Sequence, residues 1–320
     1  MIYVELLAGL ILLVVGGDSL VRGAVAVARR MGVSPLLIGL TLVGFGTSTP
    51  EMLTSVQAAL AGSPGIALGN VVGSNIANIL LILGTAALIH PMRASREALF
   101  RDGTVMLLAA GVCVVIVLIG ALDRMTGAAL VVLLSAYVLF TYLRERTSHD
   151  ASAAMHEAEA SAAEPSPKRL WVAFALLVGG LFGILIGADF LVDAGIALAS
   201  AAGVSETLVG LTIVAVGTSL PELVTSVMAA IRRQPDVAFG NVVGSNIYNV
   251  FAILGVTAIV QPIAVPPELA GVDIWVMVAA TVLLLIFSLS GRSLARLEGV
   301  VLVASYAAYI TYLVGDALRP

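Results

Sequence analysis

The chain has 320 residues, of which 60% are hydrophobic and 11% charged, and its mean hydropathy is +1.08. Soluble domains carry about 25% charged residues, so this composition excludes water as the solvent for most of the chain. The net charge is −4, and the single cysteine, Cys113, excludes an intrachain disulfide.

A bilayer core takes about 20 apolar residues per helix. Ten segments meet this, at about 2–22, 33–60, 65–89, 103–121, 125–143, 170–192, 204–231, 237–260, 272–290 and 297–315. These runs are too long and too continuous for the alternating strands of a membrane barrel. The first has no basic n-region or small-residue cleavage site and reads as a retained span, not a signal peptide. Residues 144–169 break the series: they are polar, rich in Ala, Glu and Ser, and end in Pro165-Ser166-Pro167. Such a stretch has nothing with which to build a core and reads as a linker. The expected fold class is therefore an all-α membrane protein, with one unit over 1–143, a linker over 144–169 and a second unit over 170–320.

The two units repeat each other. Gly46-Thr47-Ser48-Thr49-Pro50-Glu51 recurs as Gly217-Thr218-Ser219-Leu220-Pro221-Glu222. Gly69-Asn70-Val71-Val72-Gly73-Ser74-Asn75-Ile76-Ala77-Asn78 recurs as Gly240-Asn241-Val242-Val243-Gly244-Ser245-Asn246-Ile247-Tyr248-Asn249. Every matched pair, Asp18 and Asp189 included, is 171 residues apart. Five spans is an odd number, so two successive five-span units enter the membrane from opposite sides. With the N-terminus outside, 14 of the 16 basic residues fall on the cytoplasmic side and only Arg124 and Arg319 outside. The positive-inside rule thus predicts both termini outside and the linker inside. That is the inverted-repeat plan of secondary transporters, whose substrates bind near the midplane.

Glu51 and Glu222 lie deep within apolar spans, where an ionised side chain costs several kcal/mol or more. No Lys or Arg lies mid-span to pair with either. A carboxyl kept neutral for structural reasons is the alternative, and it fits a duplicated feature poorly. The neighbours point to a cation. Pro50 and Pro221 free carbonyls of the preceding turn, and at membrane depth free carbonyls belong beside a cavity. Thr47 and Ser48 are expected on the helix face of Glu51, and Thr218 and Ser219 on that of Glu222. Ser74 with Asn78, and Ser245 with Asn249, add oxygens at helical spacing. Oxygen ligands without His or Cys suit hard cations, and two carboxylates neutralise one Ca2+. Gly69, Gly73, Gly240 and Gly244 read as close-packing positions. Asp18 is expected to pair with Arg22 one turn on, and Trp171 and Trp275 to anchor at the interface.

These paired motifs resemble the two alpha-repeats of the cation/calcium exchanger superfamily, in its prokaryotic sodium/calcium exchanger branch, over nearly the whole chain. The resemblance implies four clustered cation sites with Glu51 and Glu222 as the central Ca2+ ligands. Thr47, Ser48, Ser74, Thr218, Ser219 and Ser245 would complete the Ca2+ and Na+ shells, with backbone carbonyls near Gly44 and Ala215. The first and sixth spans would slide over a more rigid core. One departure stands out: many members carry Asp where this chain has Asn249, so the site has two acids, which bears on stoichiometry and on coupling to K+.

The expected function is antiport of Na+ and Ca2+ across the plasma (cell inner) membrane. The transported ions are Ca2+ and Na+. No enzymatic activity, cofactor, nucleic acid or obligate protein partner is expected beyond the lipid bilayer. Proton-coupled Ca2+ exchange is the alternative, although that branch places an extra Glu in its Gly-Asn motif. A passive cation channel is a further alternative, but a channel needs a continuous filter, often from several subunits, and two inverted halves in one chain argue for alternating access. An intramembrane protease would need a base or a Gly-x-Gly-Asp motif, and neither is found.

Overall fold

In hydrocarbon every backbone N–H and C=O must be satisfied within the protein, which leaves the apolar runs little choice but helix. The computed structural model describes residues 2–92, 96–147, 169–201, 215–265, 271–290 and 294–317, and these are overwhelmingly helical. Helix α1 runs Ile2–Met31. The next span is broken into α2 (Pro35–Ile38), a π-helical stretch (Gly39–Val43), α3 (Gly44–Thr47) and α4 (Thr49–Leu60). Helix α5 (Pro64–Ala77) passes through a second π-helical stretch (Asn78–Leu83) into α6 (Gly84–Ile89). Helices α7 (Arg96–Ile119) and α8 (Arg124–Thr147) follow.

The second unit runs in parallel. Helix α9 is Leu170–Ala201, followed by α10 (Ala215–Thr218) and α11 (Leu220–Ile231). Helix α12 (Pro235–Tyr248) leads through a third π-helical stretch (Asn249–Ile253) into α13 (Leu254–Val260). Helices α14 (Val272–Ser290) and α15 (Arg296–Ala317) end the described chain.

Among the described residues, seven helices are long and apolar enough to cross a bilayer, or eight if the pair Pro35–Thr47 and Thr49–Leu60, bent by 43°, is one span. The sequence leads one to expect ten. Leu220–Ile231 and Val272–Ser288 are apolar but too short to qualify. Residues 202–214, within the expected span 204–231, and 148–168, most of the expected linker, lie outside the described residues. Helix α1 overshoots its expected end at 22 because Arg29 and Arg30 occupy its last turn, where cations complement the helix dipole.

The core is the pair of motif-bearing helices. Within an 18-residue apolar window, Pro64–Ile89 and Pro235–Val260 are 67% and 83% buried, whereas Arg124–Arg144 and Arg296–Gly315 are 22% and 11% buried and form the exposed periphery. The outer helices are fastened in pairs: the Tyr137 hydroxyl donates to Asp102 Oδ1 and the Tyr309 hydroxyl to Asp273 Oδ1, each at 2.9 Å. Two short clasps join connections of the two units. Met92 bridges Leu294, and β1 (Ala121–Leu122) pairs antiparallel with β2 (Ile263–Ala264), setting Leu122 opposite Ile263.

Helices α1 and α9 lie along one another on a seam of glycines. Gly9, Gly16 and Gly23 are spaced seven apart on α1, as are Gly180 and Gly187 on α9. A Cβ at Gly16 would stand 2.9 Å from Gly180 O, one at Gly187 2.9 Å from Gly9 O, and one at Gly23 2.9 Å from Ala173 O. The contacts therefore run in opposite senses along the two helices. Adding 171 to Gly9 and subtracting it from Gly187 turns that contact into the one between Gly180 and Gly16. Asp18, on the same helix, pairs with Arg22 at 2.7 Å, as its spacing predicts, and also with Arg232 at the end of α11, which no local spacing reveals.

The seam gives an internally controlled test. A Cβ at Gly180 would come within 2.7 Å of Gly16 O, whereas Gly179 has nothing described within 4 Å. Gly180→Ala is expected to destabilise the protein by about 1–3 kcal/mol through overpacking. Gly179→Ala should be neutral or stabilising, since alanine is the better helix former. Thermal unfolding of the two detergent-solubilised variants checks the difference.

Candidate functional site

Each motif glutamate begins a new helix instead of lying inside a continuous one. The chain leaves helical geometry at Ser48 (φ −83°, ψ 6°) and Ser219 (φ −92°, ψ 6°). Pro50 and Pro221 then sit at the start of α4 and α11, where proline's missing N–H costs nothing. Glu51 and Glu222 fall in the first turns of these helices, where the unpaired N–H groups and helix dipole favour an anion. Both side chains are buried, with 1% exposure.

This break corrects the expectation that Thr47 and Ser48 share a helix face with Glu51. Ser48 Oγ reaches the carboxylate of the other unit, donating to Glu222 Oε1 at 2.9 Å. Its counterpart does the same in reverse: Ser219 Oγ lies 3.4 Å from Glu51 Oε1 and 3.5 Å from Ser74 Oγ. Thr47 Oγ1 lies 3.1 Å from Val43 O, 3.3 Å from Gly44 O and 3.2 Å from Asn241 Oδ1. The Gly44 carbonyl also accepts the Ser48 N–H at 3.1 Å. Thr218 is half-buried, and with Ala215 it bounds the short helix α10.

Asn78 and Asn249 each open a π-helical stretch. One extra residue per turn there interrupts the regular hydrogen-bond ladder, a feature frequent at functional sites. The remaining oxygens are notable for what they lack. Glu51 Oε2, Glu222 Oε2, Asn78 Oδ1, Asn249 Oδ1 and Ser245 Oγ are buried with no hydrogen-bond partner among the described residues. Buried acceptors left unmade cost about 1–3 kcal/mol each, more when charged. A hard cation satisfies several such oxygens at once. The set is made of carboxylate, amide and hydroxyl oxygens, the donors that hard cations favour.

Two residues missed as site candidates hold the carboxylate helices in place. Asn70 Nδ2 donates to the Glu51 carbonyl at 3.0 Å and to Ser55 Oγ at 2.9 Å. Asn241 Nδ2 lies 3.3 Å from the Glu222 carbonyl and 3.0 Å from Ser226 Oγ. Each asparagine thus grips the backbone of its glutamate and the hydroxyl one turn later. The repeat offset carried the signal, since Ser55 and Ser226 match at 171 residues as the asparagines do. The glycines of the same motif pack as expected in the second unit, where Gly240 and Gly244 abut the Leu36 and Leu40 carbonyls. The positions that would match these partners for Gly69 and Gly73, 207 and 211, lie outside the described residues.

Paired buried carboxylates in an oxygen-only setting within a multi-helix membrane protein are what a cation-transport site would require. The chain belongs to the sodium/calcium exchanger protein family, whose sequence model matches residues 1–143 and 172–315. It is 38% identical to the sodium/calcium exchanger MaX1 of Methanosarcina acetivorans, across 97% of this chain and 98% of that one. It is 36% identical to the inner membrane protein YrbG of Escherichia coli, across 87% and 86% of the two chains. A solved structure of the sodium-calcium exchanger NCX_Mj, soaked with Na+ and Ca2+, superposes with a TM-score of 0.84 at 32% identity, covering 100% of this chain and 99% of that one.

The asparagine grips differ in depth, because Asn241 is fully buried and Asn70 only partly. Asn241→Leu is therefore expected to cost about 1–3 kcal/mol of stability, and Asn70→Leu less. Thermal unfolding of both variants in detergent would show the ranking.

Proposed function

We propose that this chain exchanges Na+ for Ca2+ by alternating access, with Glu51 and Glu222 together neutralising one Ca2+. The observation that carries this reading is the reciprocal pairing of Ser48 with Glu222 and Ser219 with Glu51. It brings two carboxylates from distant parts of the chain into one place while an oxygen of each has no partner among the described residues. Ser74, Ser245, Asn78 and Asn249 supply further oxygens; Thr47, Thr218 and the carbonyls of Gly44 and Ala215 complete the shells of Ca2+ and Na+. The descriptions of MaX1 as a sodium/calcium exchanger and of NCX_Mj in Na+ and Ca2+ support the choice of ions.

The physics of exchange follows from the charge. Two ionised carboxylates in a low-dielectric interior repel each other and lack solvation. Carrying that bare pair through the rearrangement is costly, whereas one Ca2+ cancels its charge and Na+ ions offset it. The loaded forms cross readily and the bare form does not, which couples the two ion flows.

The architecture proposed for this cycle has ten spans in two inverted five-span repeats, 1–143 and 170–320, with the termini outside and linker 144–169 in the cytoplasm. The arginine distribution supports it. So do the contacts that map onto themselves when 171 is exchanged between partners, in the glycine seam and in the serine–glutamate pairs. The same seam supports α1 and α9 moving as one body over the buried core. The inner-membrane label of YrbG supports the plasma membrane as its location.

Ca2+ uptake into proteoliposomes under imposed gradients tests the function. An outward-directed Na+ gradient is expected to drive uptake, and Glu51→Gln or Glu222→Gln to reduce it at least about a hundredfold, as expected for breaking a buried charge pairing. Uptake driven equally well by a proton gradient without Na+ would overturn the coupling ion.

A further inference from the structure

Among the buried polar groups not yet assigned a role, Asn75 makes a contact that its repeat partner does not. Asn249 Nδ2 donates to Asn75 Oδ1 at 2.9 Å, across 174 residues of sequence. Both side chains are buried, at 1% and 3% exposure. The direction of this bond is fixed by a third group. The other end of the Asn75 amide faces the backbone carbonyl of Asn246 at 3.4 Å. A carbonyl oxygen only accepts, so Asn75 must turn its nitrogen there and its oxygen to Asn249. Asn249 must then answer with its nitrogen. The atom left over is Asn249 Oδ1, which is buried and without a partner among the described residues.

The repeat-related contact would join Asn246 to Asn78, and the structure has a different arrangement there. Asn246 Nδ2 donates to Val242 O in its own helix at 2.7 Å. Asn246 Oδ1 and Asn78 Oδ1 both have no partner among the described residues. The same residue types, duplicated in sequence, join one pair of amides across the two units and leave the repeat-related pair unjoined.

We infer that Asn75 is a specificity-determining positioning residue: by receiving the Asn249 amide it fixes that side chain with only its carbonyl oxygen available to the transported cation. This inference rests on the exchange site proposed above. Without Asn75, the Asn249 amide is free to turn, and a turned amide offers a cation two hydrogens in place of an oxygen. An acid at 249 would set carboxylate oxygen against Asn75 Oδ1. Asn75 could answer only by turning its own amide and giving up the Asn246 carbonyl. Asn75 therefore favours an amide over an acid at position 249.

The test is Ca2+ flux in proteoliposomes of the full chain, comparing wild type, Asn75→Leu, Asn249→Leu and the double variant. Asn75→Leu is expected to raise the half-saturating Ca2+ concentration about fivefold, the worth of one hydrogen bond, while the maximal rate changes little. The double variant should be no weaker than Asn249→Leu alone, because Asn75 acts through Asn249. Wild-type half-saturation in Asn75→Leu beside a weakened Asn249→Leu would overturn the inference, as would losses that multiply in the double variant. Should Asn75→Leu fail to fold, Asn75→Ala enters the same comparison. Wild-type flux in Glu51→Gln would instead overturn the exchange site itself; a dead Glu51→Gln with unaltered Asn75→Leu and a weakened Asn249→Leu overturns the inference alone.

Discussion

Two carboxylates buried within an apolar bundle, each touched by a serine from the far half of the chain, are the constraint around which the rest of the molecule is arranged. A buried anion needs hydrogen-bond donors, a favourable dipole or a counter-charge. The chain supplies the first two directly. Ser48 and Ser219 donate, and the helix breaks at those same serines turn two helix N-termini toward the glutamates. In the proposed exchange the counter-charge is left to the ion: a protein that satisfied its own carboxylates with arginine would have nothing to gain from binding Ca2+.

The surrounding structure keeps this incomplete pair in shape. Asn70 and Asn241 grip the carboxylate helices by backbone and hydroxyl together. Helices α5 and α12 are the best-buried parts of the bundle, and both pass into π-helical turns at Asn78 and Asn249. Such turns leave amide oxygens beside an interrupted ladder, where they are available to something other than the helix itself. The outer helices carry no such devices. They expose leucine, isoleucine and valine, as the lipid-facing layer of a membrane protein should, and fasten to one another through Tyr137 with Asp102 and Tyr309 with Asp273.

Much of this was legible in the sequence, and the limits have physical causes. The 171-residue register picked out Glu51, Glu222 and their serines because duplication records which positions matter without any knowledge of contacts. It did not reveal that each serine serves the other unit's glutamate, since helical spacing speaks only of neighbours on one helix and the helix ends at Ser48. The π-helical turns leave no mark in hydropathy, because Asn78–Leu83 is as apolar around its axis as any buried helix. Asn70 and Asn241 were visible as repeated letters, but a side chain that grips a backbone carbonyl looks in sequence like one that grips an ion. Asp18 found its expected partner in Arg22, while Arg232 could be found only in three dimensions.

For a carrier whose halves trade roles as it opens to either side, every contact with a repeat-related twin contributes equally to the two end states and cancels from their difference. The Gly9–Gly187 contact of the seam and the serine–glutamate pairs have such twins. The ion pair between Asp18 and Arg232 does not, because the position matching Arg232 is Ala61 and the one matching Arg22 is Asp193. In the proposed cycle, contacts without a twin are the ones that bias which way the resting protein faces, and an ordinary salt bridge at a helix end carries a weight in that choice that its modest strength alone would not give it.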